Sequence, residues 1–379
     1  MMRVKFLNTI GLLLISTLVV TNHAQAQEPL SHLIQTSGLA PKWMSPSEIN
    51  KIIEEQHSLG KCGGFMDVTH QDWDNPLFDQ PYSPAFGILG LNKILPTEQK
   101  TVVPLLTELS AQELEQSVSK LSSYPNRYYK SQAGQDSALW IKSQFEALSK
   151  NRTDVSVSTF THKRFNQPSI IATIQGKGQN ANEIIVLGAH EDSINMILSR
   201  GAPGADDNAS GVATLLEVFR VLMDSGFQPD RTLQFMTYAA EEVGLLGSQD
   251  IAASYRKFNK NVVAVLQFDM TMFASPGRET EMTLITDYTD RTLNQFTKML
   301  IDEYVKIKWH EDECGYACSD HVSWTKAGYA STFPFETRVD EYNRKTHTAK
   351  DTLEQIDPNF GLYFAKFGLA FAIEMTKGI

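Results

Sequence analysis

The chain has 379 residues, of which 42% are hydrophobic and 21% are charged, and its formal net charge at pH 7 is −10. This length is enough for one large hydrophobic core and an additional segment. The acidic balance, without a basic stripe, argues against nucleic-acid binding and against attachment to anionic membrane surfaces.

The first residues have the pattern of an export signal. Arg3 and Lys5 provide a basic start, an apolar run covers residues 10–20, and Ala24 and Ala26 match a cleavage site. The run is shorter than the roughly 20 residues of a membrane-spanning helix, so an uncleaved anchor is the weaker alternative. We expect residues 1–26 to be a signal peptide. The mature protein would then be secreted, either periplasmic or extracellular, with no membrane attachment.

Residues 27–102 form a block between this signal and the main domain. The block contains several aromatic side chains: Phe65, Trp73, Phe78, Tyr82 and Phe86. Disordered linkers are poor in aromatic residues, so we expect the block to pack on the domain that follows. Its position predicts a prosegment that is removed after export. A permanent N-terminal subdomain is the alternative.

Residues 103–379 alternate between predicted helices and strands. A capping box at Ser110 and Glu113 opens the first helix. Further helices are predicted over residues 136–150, 210–223 and 357–377, and strands over residues 170–174, 184–187, 233–239 and 262–268. The alternation predicts an α/β domain, with a mostly parallel mixed central sheet covered by helices on both faces.

Five residues with metal-binding side chains stand out in the second half of the chain. They are His190, Asp206, Glu242, Asp269 and His347. Each alone has an ordinary interpretation as a loop, capping or surface residue, but three of them follow predicted strands, whose carboxyl ends converge in such sheets. Two imidazoles and three carboxylates suit zinc. Because a catalytic zinc takes three protein ligands, the set suggests two ions that share a bridging carboxylate.

Two further carboxylates have predicted roles. Glu241 is the free carboxylate beside Glu242, where a general base for a metal-activated water is needed. Asp192 lies two residues after His190 and is placed either to accept the ring N–H of that imidazole or to cap a loop.

The chain has three cysteines. Cys314 and Cys318 are four positions apart and could close a short disulfide loop, with Gly315 easing the turn. A pair of zinc thiolates is the weaker alternative, because two partner cysteines are missing. Cys62 is either an unpaired thiol or a zinc ligand that keeps the enzyme latent.

From Leu105 to the C-terminus the chain resembles the secreted two-zinc aminopeptidases of peptidase family M28, and is similar to the leucyl aminopeptidases of marine vibrios. The motifs that carry the resemblance are Tyr124–Tyr129, Gly188–His190, Pro203–Asp207, Ala240–Gly244, Cys314–His321 and Gly368–Met375. The resemblance implies the zinc-dependent exopeptidase fold. It also implies hydrolysis of the first peptide bond of peptides with a free N-terminus, by a hydroxide that bridges two Zn²⁺ ions.

The resemblance also implies a role for each site residue. Asp206 would bridge the ions, His190 and Asp269 would complete one zinc site, and Glu242 and His347 the other. Glu241 would be the general base, and Tyr316 would donate a hydrogen bond to the developing oxyanion. The peptide bond between Asp206 and Asp207 would be cis.

The same resemblance predicts an apolar substrate pocket. Its walls would be Met270, Tyr316, Phe333, Phe335 and Tyr342, although core packing is an alternative for these residues. Val339 and Thr346 would leave the pocket wide, which favours Leu, Met and Phe. Asp340 and Glu341 could instead favour Lys or Arg.

We expect a monomer that acts on peptides. The alternative functions are another metallohydrolase on this fold, such as a carboxypeptidase, a glutaminyl cyclase-like enzyme with one zinc, or a non-catalytic binding domain.

Overall fold

A computed structural model describes residues 31–36, 40–58, 64–70, 95–197, 199–277 and 280–377. The predicted signal peptide, Cys62, Trp73, Phe78, Tyr82 and Phe86 lie outside the described residues. Among the helices of the described ranges, none is long and apolar enough to cross a membrane.

The N-terminal block contains a small antiparallel sheet. Its strands are β1 (His32–Gln35), β2 (Lys42–Met44) and β3 (Met66–Asp67), in the order β2-β1-β3, and helix α1 spans Pro46–Ser58. Met66 is fully buried in a cluster with Leu245, Ala317 and Val322 of the main domain. The described part of the block therefore packs on the main domain through β3.

Strand β3 also bonds to the main domain through its backbone. The Asp67 N–H donates to the Gly244 carbonyl at 3.1 Å, and the Gln249 side chain donates to the Asp67 carbonyl at 3.1 Å. Further along, helix α2 (Gln99–Leu105) crosses the predicted limit at residue 102, so that limit falls inside a helix.

A mixed sheet forms the centre of the main domain, and eight of its strands lie within the described ranges. The strands are β4 (Val155–Phe160), β5 (Ser169–Ile174), β6 (Glu183–His190), β7 (Thr232–Tyr238), β8 (Asn261–Phe268), β9 (Glu281–Ile285), β10 (Lys308–Asp312) and β11 (Ser331–Phe335). Their order is β10-β9-β11-β8-β6-β7-β5-β4. The central strand β6 is parallel to both β7 and β8, whereas β5 is antiparallel to β4 and β7.

Helices cover both faces of this sheet. They are α3 (Ala111–Ser122), α4 (Gln132–Leu148), α5 (Gly211–Asp224), α6 (Leu246–Lys257), α7 (Arg291–Leu300), α8 (His321–Lys326) and α9 (Pro358–Lys377). Strand β6 shows how the two cores form, because successive side chains of a strand point to opposite faces. Ile185 and Leu187 pack into the large core with α3, α4, α5, α7 and α9, whereas Ile184 and Val186 pack with α6 and α8. The predicted fold class is confirmed.

The helix boundaries follow their capping residues. The Ser110 hydroxyl accepts a hydrogen bond from the Glu113 N–H at 3.3 Å, which confirms the predicted start of α3. Helix α4 begins at Gln132, not at residue 136, because Ser131 caps it by accepting from the Gly134 N–H at 2.9 Å.

Candidate active site

The candidate site lies beyond the carboxyl ends of the three central parallel strands. His190 is the last residue of β6, Asp269 follows β8, and Glu241 and Glu242 lie three and four residues after the end of β7. This arrangement is the one expected from the strand pattern, since the ends of parallel strands open into a common crevice. His347 joins the group from a loop near the C-terminus.

The backbone next to several of these residues adopts a conformation that non-glycine residues rarely take. Ala240, Met270 and His347 have φ angles of 58°, 58° and 56°. Such left-handed residues cost about 1–3 kcal/mol each and persist where the surrounding structure fixes them, often at functional sites. Here they turn the chain immediately before Glu241 and immediately after Asp269.

The metal-binding atoms form two sets of three that share one carboxylate. One set is His190, Asp207 and Asp269, and the other is Asp207, Glu242 and His347; in each set the ligand atoms lie within 4.8 Å of one another. The two oxygens of Asp207 divide between the sets. Oδ1 lies 3.1 Å from Nε2 of His190, and Oδ2 lies 3.1 Å from Nε2 of His347.

The carboxylate that the two sets share is therefore that of Asp207 and not, as was predicted, that of Asp206. The Asp206 carboxylate points away from both imidazoles and accepts a hydrogen bond from the Asn343 amide at 2.9 Å. It also contacts the carboxyl of Glu336, and burial raises the pKa of both groups. The cis peptide bond lies between Asp207 and Asn208, one position later than predicted.

Asp351 fixes which of the two neighbouring aspartates faces the imidazoles. Its two oxygens accept from the backbone N–H groups of Asp206 and Asp207 at 2.9 and 3.0 Å. Both amides are thus held by one carboxylate, in the turn Ala205–Ser210 that precedes α5.

The other ligands are held by hydrogen bonds as well. The Ser319 hydroxyl donates to Oδ2 of Asp269 at 2.5 Å. The Asn208 side chain accepts from the Met270 N–H at 3.1 Å and donates to the Phe268 carbonyl at 3.0 Å, on either side of Asp269.

Asp192 takes the capping role, one of the two roles that its position predicts. Its two oxygens accept from the backbone N–H groups of Glu241 and Glu242 at 2.9 and 3.3 Å, so it caps the turn that carries the proposed base. One of these oxygens also lies 3.5 Å from Nδ1 of His190. A single buried carboxylate therefore connects the loops after β6 and β7.

Burial and mutual contacts shift the pKa values of the ligand side chains. Burial and the charge of Asp207 raise the pKa of Glu242 to about 7. Burial also acts to raise the pKa of Asp207, but hydrogen bonds with His190 and His347 outweigh it and hold that pKa far below its usual range. Burial disfavours the protonated form of His190, whereas the charge of Asp269 favours it, and the pKa of His190 lies well above its usual value. Metal ions that bind here must displace these protons.

The donor set fits divalent metal ions. Oε1 of Glu242 and Nδ1 of His190 are buried and make no hydrogen bond within the described residues. A buried polar atom without a partner is costly, and a cation placed among the ligands would compensate the Glu242 oxygen directly. Imidazole nitrogens and carboxylate oxygens are ligands that zinc accepts.

A cavity opens beside the ligands. Its walls include Asp207, Glu241, Glu242 and Asp269 together with Met270, Cys314, Tyr316, Cys318, Phe333, Phe335, Val339 and Tyr342. All five residues predicted to form a substrate pocket thus lie together around one space. Thr346, Asp340 and Glu341 do not line it. The Cys314–Cys318 disulfide, with a sulfur–sulfur distance of 2.06 Å, forms part of the wall.

The sequence analysis assigned no role to several residues that shape the site. Asp351, Asn343 and Ser319 hold ligands, and Arg127 holds the loops that carry them. Arg127, Ser319 and Asp207 belong to motifs shared with the family, which was the only available signal. Nothing in the sequence links Asp351 to residues 145 positions earlier.

Known proteins are similar to this chain over most of its length. The sequence profile of peptidase family M28 matches residues 169–370. A probable leucine aminopeptidase of Arthroderma benhamiae is 39% identical over 354 residues, which cover 92% of this chain and 93% of the relative. Leucine aminopeptidase 1 of Neurospora crassa is 41% identical over 347 residues, which cover 88% and 84%.

Solved structures share the fold. The crystal structure of the LapA aminopeptidase of Legionella pneumophila has a TM-score of 0.81 at 29% identity and covers 93% of this chain and 100% of that chain. A zinc aminopeptidase from Bacillus subtilis has a TM-score of 0.58 at 18% identity, covering 69% and 94%, and this likeness concerns the fold alone.

These similarities define a metallopeptidase fold, and its site contains two sets of side chains that could hold a metal ion. The chain belongs to peptidase family M28. It is an aminopeptidase, as the family resemblance of its motifs predicts.

Proposed function

We propose that this aminopeptidase is exported, holds two zinc ions and releases apolar N-terminal residues from peptides. The position of Asp207 carries the proposal. Its two oxygens face two different imidazoles, and this divides five side chains into two sets of three ligands. Pairs of metal ions that share a ligand about 3.5–4 Å apart are typical of hydrolases, aminopeptidases among them.

Zinc is the metal that we propose for both sets. Imidazole and carboxylate ligands suit it, and a catalytic zinc takes three protein ligands and keeps a position open. When bound, the ions would polarise the scissile carbonyl and lower the pKa of water. His190 and Asp269 would hold one ion, Glu242 and His347 the other, with Asp207 shared.

Glu241 is the proposed general base. It lines the cavity beside Asp207 and Asp269, and Asp192 fixes its backbone N–H at 2.9 Å. Burial raises the pKa of Glu241 well above its usual range, which suits a carboxylate that takes a proton from water and returns it to the leaving amine. No other described residue with an acidic side chain lies in this cavity except the proposed ligands.

Tyr316 is the proposed donor to the developing oxyanion. It is 4% exposed and lines the same cavity as Glu241, on the loop that the disulfide closes. Asp287 holds this loop by accepting from the Cys314 and Gly315 N–H groups at 3.0 and 2.8 Å. A fixed hydroxyl aimed at the reacting carbonyl contributes most to the rate when it needs no rearrangement.

The cavity supports a preference for Leu, Met or Phe at the N-terminus of the substrate. Its walls away from the ligands are aromatic and aliphatic, and neither Asp340 nor Glu341 reaches it. Apolar side chains of the substrate would be buried there, at about 25 cal/mol for each Å² removed from water. A Lys or Arg side chain would lose hydration without gaining a carboxylate partner.

Export, the monomeric state and the removal of residues 27–102 remain proposals that rest on the sequence pattern. The similarity to the enzymes of marine vibrios is likewise a proposal that rests on the sequence motifs.

The experiment that tests the function is release of p-nitroaniline from Leu-p-nitroanilide, with zinc counted per chain. We expect about two zinc ions per chain in the wild type and in Glu241→Gln, and a loss of about 10²–10⁴ in kcat in the variant. One zinc per chain would favour the cyclase-like alternative. Two zinc ions with no activity on any aminoacyl-anilide would favour a binding domain. Lys- or Arg-anilides as the best substrates would contradict the proposed specificity.

A further inference from the structure

Arg127 is a fully buried arginine in the segment between α3 and α4. Within the described residues, each of its guanidinium hydrogen bonds ends on a backbone carbonyl. Nε donates to the Glu191 carbonyl at 2.9 Å, one Nη donates to the Gly204 carbonyl at 2.9 Å, and the other donates to the carbonyls of Pro203 and Leu121.

Three of these carbonyls belong to the two loops that present the proposed metal ligands, and the fourth, that of Leu121, belongs to α3. Glu191 lies between His190 and Asp192, and Gly204 lies three residues before Asp207. The planar fork of an arginine has donors in fixed directions, so one side chain sets the spacing between the loops. His190 and Asp207, whose side chains meet at 3.1 Å, come one from each loop.

The arginine is itself anchored through its backbone. Its N–H donates to the Ser193 hydroxyl at 3.0 Å, and its carbonyl accepts from the Gln167 side chain at 3.2 Å. The Ser193 hydroxyl donates in turn to the Ala202 carbonyl at 2.8 Å. Main chain and side chain of Arg127 thus connect the same two loops.

The positive charge of Arg127 lies among carboxylates that it does not contact directly. Burial lowers the pKa of Arg127, while the charges of Asp351, Asp207 and Asp192 act in the opposite direction. The side-chain N–H groups of Arg127 donate to neutral carbonyls, so its positive charge is not neutralised by an ion pair with a single carboxylate. It offsets part of the repulsion within the ligand cluster when no metal ion is bound.

Gly204 lies directly against the guanidinium. It has a φ of +53°, and a Cβ atom at this position would lie 2.7 Å from an Arg127 Nη and 2.3 Å from the Asp207 carbonyl. Both a side chain and an ordinary backbone conformation are therefore excluded where the arginine meets the ligand loop.

We propose that Arg127 is a positioning residue for the metal centre, which holds the loops of His190 and Asp207 at the spacing that lets their side chains share an ion. The inference rests on the proposed two-zinc function. It assigns to Arg127 a role in metal affinity beyond its contribution to stability.

The test compares Arg127→Lys and Arg127→Met with the same changes at Arg231. Arg231 is also buried, at 4% exposure, and donates to the Met375 carbonyl at 2.8 Å, at the opposite end of the sheet. Zinc affinity is measured by competition with a fluorescent chelator on folded protein, and kcat and KM for Leu-p-nitroanilide are measured at saturating zinc. Changes to groups that orient ligands typically cost about 10–100-fold in metal affinity or activity. We expect such a loss for Arg127→Lys, a larger one for Arg127→Met, and wild-type zinc affinity for both Arg231 variants.

Gly204→Ala provides a second variant, should Arg127→Met fail to fold. It leaves every donor in place, but its methyl group would crowd both the guanidinium and the Asp207 carbonyl, and it should weaken zinc binding in the folded protein. Wild-type zinc affinity and kcat in Arg127→Lys and Gly204→Ala would overturn the inference. Equal losses of zinc affinity in the Arg231 variants would overturn it as well. A wild type that binds fewer than two zinc ions would instead contradict the proposed function.

Discussion

Replacing each of the two neighbouring aspartates of the ligand loop by asparagine should have different effects on zinc binding and activity. Asp207→Asn removes a charge that both ligand sets share. Asp206→Asn changes a carboxyl that already contacts Glu336 and accepts from Asn343. We therefore expect zinc loss and inactivity in Asp207→Asn, and a zinc-loaded, active enzyme in Asp206→Asn.

The magnitude follows from the number of ions that each aspartate would contact in the proposed two-zinc site. A change in a group that only orients a ligand costs about 10–100-fold in metal affinity, and this is the upper limit expected for Asp206→Asn. Asp207 would be a ligand of both proposed ions, so its loss should exceed that factor for each. The combined loss for the pair is then at least about 10²–10⁴-fold, if the same factor is taken for each ion.

Zinc per chain is measured by atomic spectroscopy after dialysis at several free zinc concentrations, together with kcat/KM for Leu-p-nitroanilide. Circular dichroism of both variants controls for folding. If Asp206→Asn lost zinc while Asp207→Asn kept it, the assignment of the bridging carboxylate would be refuted. Equal behaviour of the two variants would show that the loop has no single bridging residue.

Three further predictions concern stability and specificity. Burial lowers the pKa of His321 to about 3 from 6.5, so between these pH values the unfolded chain binds a proton that the folded chain does not. The free energy of unfolding should thus fall by about 1.4 kcal/mol per pH unit as the pH decreases through this window. Urea unfolding should show that His321→Leu lacks this component, and an unchanged slope would contradict it. Met66→Ala should lower the free energy of unfolding by about 2–5 kcal/mol, because it removes a buried side chain. The control Met196→Ala changes a side chain that is 42% exposed and should have little effect. Similar denaturation midpoints for the two variants would argue against docking of β3 on the main domain. Val339→Phe should lower kcat/KM for Phe-p-nitroanilide more than for Ala-p-nitroanilide, because Val339 lines the cavity; equal changes for both substrates would place Val339 outside the side-chain pocket.

The sequence was sufficient to locate the candidate site because residues with metal-binding side chains follow the predicted strands. The apolar run of β6 ends at His190 and that of β8 ends just before Asp269, and parallel pairing brings these ends together. The start of α3 was placed closely because the capping box at Ser110 marks it, whereas the start of α4 was placed four residues too late. Strands β4, β9, β10 and β11 of the main sheet were not predicted, and the short mixed patterns of β9 and β10 resemble loops.

The identity of the bridging residue could not be predicted from the same information. Asp206 and Asp207 are chemically identical, and only the backbone path through the turn decides which one faces the imidazoles. That path depends on Asp351, which lies far along the chain. The role of Arg127 could not be predicted for a similar reason. Its hydrogen-bond partners are backbone carbonyls, which every residue has, so no side chain in the sequence indicates them.

The contacts of strand β3 separate cleavage of the chain from release of the N-terminal fragment. Met66 is fully buried between Leu245 and the disulfide loop, and the Asp67 N–H donates a backbone hydrogen bond to Gly244, in the turn that follows Glu241 and Glu242. A protease that cut the chain after residue 70 would break its covalent continuity without removing these contacts. The cut protein would run as two fragments in a denaturing gel but would elute as one particle from a sizing column. Release of the N-terminal fragment would then have its own rate, set by how often β3 comes away from the turn that carries the proposed base.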